Sequence, residues 1–170
     1  MIGNHIIKNF LCILMVFDIV SNVKIKQDNP RIIDAFILAY DAMYTYDIIH
    51  YKNGYTKDYI ILDMESADFS ETTYDDRQKM INHFKKNNKK ILNASIFKLK
   101  EIGLADEMTQ IAINGDFLMF TCVRRDENSN GIIISGMKYH GPISAYIYEM
   151  KLDVIDNEWK LIEIKEKGVA

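Results

Sequence analysis

Three groupings in this chain hold residue types that chemistry needs. Asp34 and Asp41 lie seven apart, close to Tyr40, Tyr44 and Tyr46. A carboxylate to move a proton and phenol hydroxyls to hold an oxyanion are what a small isomerase requires. Asp63 and Glu65 lie two apart, so an extended backbone would project both carboxylates from one face, with Asp68 close behind. Paired acids do acid/base work when one of them has its pKa raised. His140 stands beside Tyr139 at the Gly141-Pro142 break, and loop tips at sheet ends are where sites collect.

Asp41, Asp63, Tyr44 and His140 are therefore the candidates for catalysis, and Tyr139, His140, Tyr146 and Tyr148 those for ligand binding. Each has a plainer explanation, and the plainer one is preferred. Tyrosines fill cores and interfaces, acids follow strands that leave the core, and a single loop histidine is usually solvated. No catalytic role is assigned on sequence alone.

Metal and cofactor signatures are missing. Asp126-Glu127-Asn128-Ser129-Asn130-Gly131 has the first half of a calcium loop, but the twelfth position is Met137 and the flanks read as strands. A polar hairpin turn is expected there. His50, His83 and His140 are scattered, no His-x-His, His-Glu-x-x-His or Cys-x-x-Cys spacing occurs, and Cys12 and Cys122 make no disulfide framework. Cys122, between Phe120 and Val123, reads as an inert strand residue. There is no Gly-rich phosphate loop, and neither a cofactor nor a metal is expected.

Composition sets the class. The chain has 170 residues, 48% hydrophobic and 26% charged, which is the balance of an ordinary globular protein. The net charge is −3, and the first 27 residues hold three lysines against Asp18, which leaves −5 for residues 28–170. An acidic body argues against nucleic acid as a partner. The cluster Lys85, Lys86, Lys89 and Lys90 is read as the basic end of a helix, offsetting its macrodipole.

Residues 10–17 form an unbroken apolar run behind Lys8. Eight residues are too few to span a bilayer but suit the core of a secretory signal, so residues 1–27 are expected to be a signal peptide or an apolar N-terminal element, with export as the consequence. Residues 28–170 are expected to form one domain.

The elements that must position these residues follow from periodicity. Asn29 and Pro30 open a helix with Ile32, Phe36, Ala39, Tyr40 and Met43 as its stripe, fading near His50 before an Asn53-Gly54 turn. A short strand covers 59–62. Thr72 or Thr73 caps a second helix with Arg77, Met80 or Ile81, and Phe84 inward. Ile91-Leu92 is a one-rung strand, and Ser95 starts a short helix with Ile96, Leu99 and Ile102 inward and Gly103 at its end. From Asp116 the period becomes two, giving strands over 117–125, 131–139, 143–155 and 159–165. In the third of these, Tyr146, Tyr148, Met150, Leu152 and Val154 share a face opposite Glu149, Lys151 and Asp153.

The fold class is α+β, with N-terminal helices packed on a C-terminal antiparallel sheet. Helices followed by a long sheet closing in the hairpin Asp156-Asn157-Glu158-Trp159-Lys160-Leu161-Ile162 resemble the cone-shaped nuclear-transport-factor-2-like and cystatin-like folds over about residues 30–166, and small bacterial secreted proteins that end similarly. That superfold hosts isomerases, dehydratases, immunity proteins and scaffolds, so the resemblance implies a fold and not an activity. The functional expectation is a non-catalytic binding domain, exported, that takes a protein or small molecule. The alternatives are an immunity-type protein and a small cofactor-free enzyme. A homodimer is compatible with all three.

Overall fold

The computed structural model of the chain describes residues 30–51, 57–106, 111–139 and 144–170, without the side chains of 47–51. The run 10–17, the cap Asn29, the side chain of His50, the Asn53-Gly54 turn and the break at 140–142 lie outside the described residues.

The described chain runs α1 (Ile32–Tyr51), β1 (Tyr59–Leu62), a 3-10 turn (Ala67–Phe69), α2 (Tyr74–Phe84), a second 3-10 turn (Lys85–Asn87), β2 (Lys90–Asn93), α3 (Ile96–Glu101), β3 (Gly115–Arg125), β4 (Ile132–Tyr139), β5 (Ala145–Ile155) and β6 (Glu158–Val169). All six strands join one sheet in the order β2-β1-β3-β4-β5-β6. β3 to β6 form the antiparallel meander that the period of two predicts. The two short runs do something the sequence reading does not include: β1 pairs in parallel with both β2 and β3. Parallel strands need helices on both faces, and the core accordingly splits in two. Ile60 and Leu62 of β1 pack with Met80 and Phe84 of α2 and with α1, whereas Ile61 and Phe117 pack with Leu99 of α3 on the opposite face.

Local sequence explains the helices. Thr73, not Thr72, caps α2: its hydroxyl accepts from the Asp76 N–H, and the Asp76 carboxylate accepts from the Thr73 N–H at 2.9 Å, a capping box. Ser95 caps α3 by accepting from the Lys98 N–H at 3.2 Å. That helix buries Leu99 but leaves Ile102 51% exposed, so the expected inward stripe is shorter than its periodicity suggests. Helix α1 has apolar residues on most of its circumference because it lies over the sheet while α2 lies against its flank; Ile33, Phe36, Ala39, Tyr40 and Met43 are all buried.

The β3–β4 turn is held by Asp126, as a polar turn should be. Gly131 has a further reason to be glycine: a Cβ there would sit 2.0 Å from the Leu152 carbonyl oxygen on β5. Backbone meets backbone at this point, and neither can yield cheaply. Gly131→Ala is expected to destabilise the fold by about 1–3 kcal/mol, measured as a lower urea midpoint at unchanged m-value. An unchanged midpoint would show that β4 and β5 separate freely here.

Candidate functional site

Asp34 and Asp41 project from α1 toward α2. Asp34 pairs with Lys79, and Asp41 Oδ1 lies 3.2 Å from Lys86 Nζ and 3.3 Å from His83 Nε2. Neither neighbour donates to Oδ1 in hydrogen-bond geometry; Lys86 instead reaches Oδ2 at 3.5 Å, so the Oδ1 contact is electrostatic. Lys86 Nζ is 2.8 Å from His83 Nε2. An ammonium has no acceptor capacity, so Lys86 can only be the donor in this contact.

Beside this cluster lies a groove of about 490 Å³ between α1, α2 and the β5–β6 turn. Ile37, Leu38 and Trp159 supply its apolar walls, and Asp34, Lys79, His83, Asn157 and Glu158 its polar ones. Asp156 and Asn157 both have positive φ, at 53° and 62°, which is the tight hairpin turn that presents Trp159 here. The Trp159 indole nitrogen is buried, and among the described residues it has no hydrogen-bond partner. Sequence reasoning finds Trp159 only as a hairpin residue and misses the groove, because its walls come from three elements far apart in the chain.

The tyrosines are not gathered around an open cavity. Tyr40 and Tyr148 have no exposure and Tyr44 has 7%. Tyr40 stacks on Phe120 at 4.2 Å between centroids, and its hydroxyl donates to the Asp63 carbonyl at 2.7 Å. Burial, with Asp63 and Asp68 nearby, holds the Tyr40 phenol well above its usual range; burial and the charges of Asp116 and Asp41 also raise Tyr44. Tyr46 meets Tyr148 edge to face at 5.2 Å. Tyr139 and Tyr146 do not share a face. Tyr139 pairs with Ala145 and Lys138 with Tyr146, so one residue of offset sends the two rings to opposite sides of the sheet. Tyr139 packs on Phe117 at 5.7 Å. No common binding surface is formed by Tyr139, Tyr146 and Tyr148. His140 lies outside the described residues.

Asp63 and Glu65 are likewise separated. Asp63 is 5% exposed, and its Oδ1 accepts from the Glu65 N–H at 3.0 Å. Burial raises its pKa, and the hydrogen bonds from the Glu65 and Ser66 backbone only partly offset that. Glu65 is exposed and accepts from the Ser95 N–H at 3.1 Å and the Ser95 hydroxyl at 2.5 Å, tying β1 to the start of α3. The two acids perform separate structural tasks.

Asp126 has its oxygens filled by the protein. Oδ1 accepts from the Asn128 N–H at 3.0 Å, and Oδ2 takes the Ser129 hydroxyl at 2.9 Å and Lys151 Nζ at 2.7 Å. An ammonium occupies the place where a cation would have to bind. Cys122 is exposed after the bulge between Phe120 and Cys122. Among the described residues no helix is long and apolar enough to cross a membrane.

Lys151, followed by the Asn128 and Ser129 donors, holds Asp126 down at a pKa of about 2. A carboxyl depressed in the folded state contributes stability that is complete above its unfolded pKa and disappears as pH falls through the folded value. The loss should therefore run from about pH 4 down to pH 2. Asp126→Asn is expected to lower the urea midpoint at pH 7, with the gap from wild type closing across that window. A gap independent of pH would remove the Lys151 pairing as its cause.

No protein-family model, curated protein or solved structure matches this chain.

Proposed function

We propose that this chain is a non-catalytic binding domain that holds its ligand in the groove between α1, α2 and the β5–β6 turn. One observation carries the reading: Asp34, Lys79, His83 and Glu158, the titratable groups at the groove, each already have a charged neighbour, while Ile37, Leu38 and Trp159 remain as apolar wall. A volume of about 490 Å³ suits a small molecule with a flat apolar body. Export belongs to the proposal and rests on the apolar run at 10–17 behind Lys8. The likeness to nuclear-transport-factor-2-like folds is proposed only for α1 over the β3–β6 meander, since the parallel strands β1 and β2 stand apart from it.

Trp159 is the only tryptophan in the chain, so its emission reports on this groove alone. The dye 1-anilinonaphthalene-8-sulfonate is expected to quench Trp159 saturably. Leu38→Glu should weaken that binding about tenfold, which corresponds to ~1.4 kcal/mol, at a similar thermal midpoint. Dye binding that leaves Trp159 emission untouched would sink the groove as the binding site.

A further inference from the structure

We propose a second site, for a phosphate-bearing anion, in the cleft at the N-terminal ends of β1 and β2. The cleft measures about 470 Å³ and is lined by Lys57, Asp58, Tyr59, Asn88, Lys89 and Lys90. Three lysines thus line the cleft with a single aspartate, on a protein whose net charge is −3. Among the described residues Asp58 forms no ion pair with any of the three, and its Oδ2 accepts from Asn114 Nδ2 at 3.1 Å.

The contrast with the other lysines carries the inference. Lys79, Lys86, Lys98, Lys151, Lys160, Lys165 and Lys167 each pair with a carboxylate. Lys85 donates to Asn82 and Lys138 to the Tyr44 carbonyl. Lys57 and Lys89 are half-buried, yet among the described residues neither has a hydrogen bond or an ion pair. Among the described residues the Lys90 ammonium has the Tyr59 hydroxyl at 3.5 Å and the face of that ring at 5.2 Å, and no carboxylate. The macrodipole of α2 accounts for Lys85 and Lys86, which sit at its end, but not for Lys89 and Lys90, which come after the second 3-10 turn. Like charges kept together in a concavity repel one another and attract an anion. Three compact ammonium donors suit the oxygens of a phosphate dianion, and the cleft has room for the rest of a small phosphate ester. An acidic body disfavours a nucleic acid as its source.

The source is then either a soluble phosphate compound or a lipid headgroup, and we assign the soluble one because the site is a cleft and not a flat face. The probe is inorganic pyrophosphate, titrated calorimetrically into the full chain at fixed ionic strength. Saturable binding is expected, weakened at least tenfold in Lys57→Ala/Lys89→Ala and unchanged in Lys160→Ala/Lys165→Ala, whose lysines pair on the β6 edge. Circular dichroism melting should show all three proteins folded alike. Equal losses in both double variants would reduce the effect to net charge and overturn the site. So would an absence of saturable binding at millimolar probe. Co-sedimentation with phosphatidylglycerol vesicles forms the other arm: binding there that depends on Lys57 and Lys89, with none to pyrophosphate, would overturn the soluble ligand in favour of a membrane surface.

Discussion

Between α1 and β4 there is no room for a side chain at position 136. A Cβ on Gly136 would come within 2.7 Å of Met43 Sδ and 2.9 Å of the Met119 carbonyl oxygen. The close approach lets a nearly all-apolar helix lie on the sheet, and it fixes where along the helix each residue must sit. Phe36 and Tyr40 then fall against Phe69 and Phe120, with Phe36–Phe69 at 4.8 Å and Tyr40–Phe120 at 4.2 Å. One turn further on, the carbonyl of Tyr44 accepts from the buried ammonium of Lys138 at 3.0 Å, and the ring of Tyr44 lies 5.1 Å from it. Burying such a ring contributes on the order of 1.5–3 kcal/mol, so this contact region outweighs any surface pairing in the molecule.

Once α1 is placed, α2 is placed by charge. Arg31–Asp76, Asp34–Lys79 and Asp41–Lys86 are each separated by 45 residues in sequence. A constant offset means that the two helices advance in the same direction, side by side. The two solvent-facing pairs, Asp34–Lys79 and Asp41–Lys86, contribute about 0–1 kcal/mol each, and Arg31–Asp76 adds a carboxylate that is itself buried; a row of three at one offset excludes a slip by a turn. Leu38 and His83 have the same offset and no ion pair between them. That rung is where the groove opens, so the ladder and the proposed binding site are consequences of one registration.

What was legible in the sequence was whatever is local. Period two from Asp116 gave the meander, and the inward set Tyr148, Met150 and Leu152 has no exposure. Thr73 and Ser95 act as caps because the cap is written within three residues of itself. The parallel half was not legible. Tyr59–Leu62 and Ile91–Leu92 are too short and too uniformly apolar to carry a period, and nothing in them states the direction of pairing. Direction is set by what joins them. The chain passes from β1 to β2 in one sense and from β2 across β1 to β3 in the other, and right-handed crossovers in opposite senses put their helices on opposite faces. The split core, with α2 on one side and α3 on the other, follows from that reversal. Asp34 and Asp41 were recognisable as a polar line on α1, but their partners lie 45 residues away and no spacing rule reaches them.

The same distinction explains why reactive-looking residues turned out to be structural. An acid near a tyrosine in sequence need not act with it: Asp41 reaches His83 and Lys86 while Tyr44 is buried against Phe84 and Lys138, and Asp63 turns inward while Glu65 turns out to Ser95. Residues two apart share a face only along a regular strand, and the strand here ends at Leu62, before Asp63 and Glu65. Sites are made by residues from different elements at matching positions. Here that means Trp159 from the hairpin, Leu38 from α1 and His83 from α2 at one groove, and Lys57 before β1 with Lys89 and Lys90 at β2 at the other. In both, the residues that signal a site are the ones left over when the pairings among the described residues are complete: an indole N–H with no acceptor and two half-buried lysines with no anion.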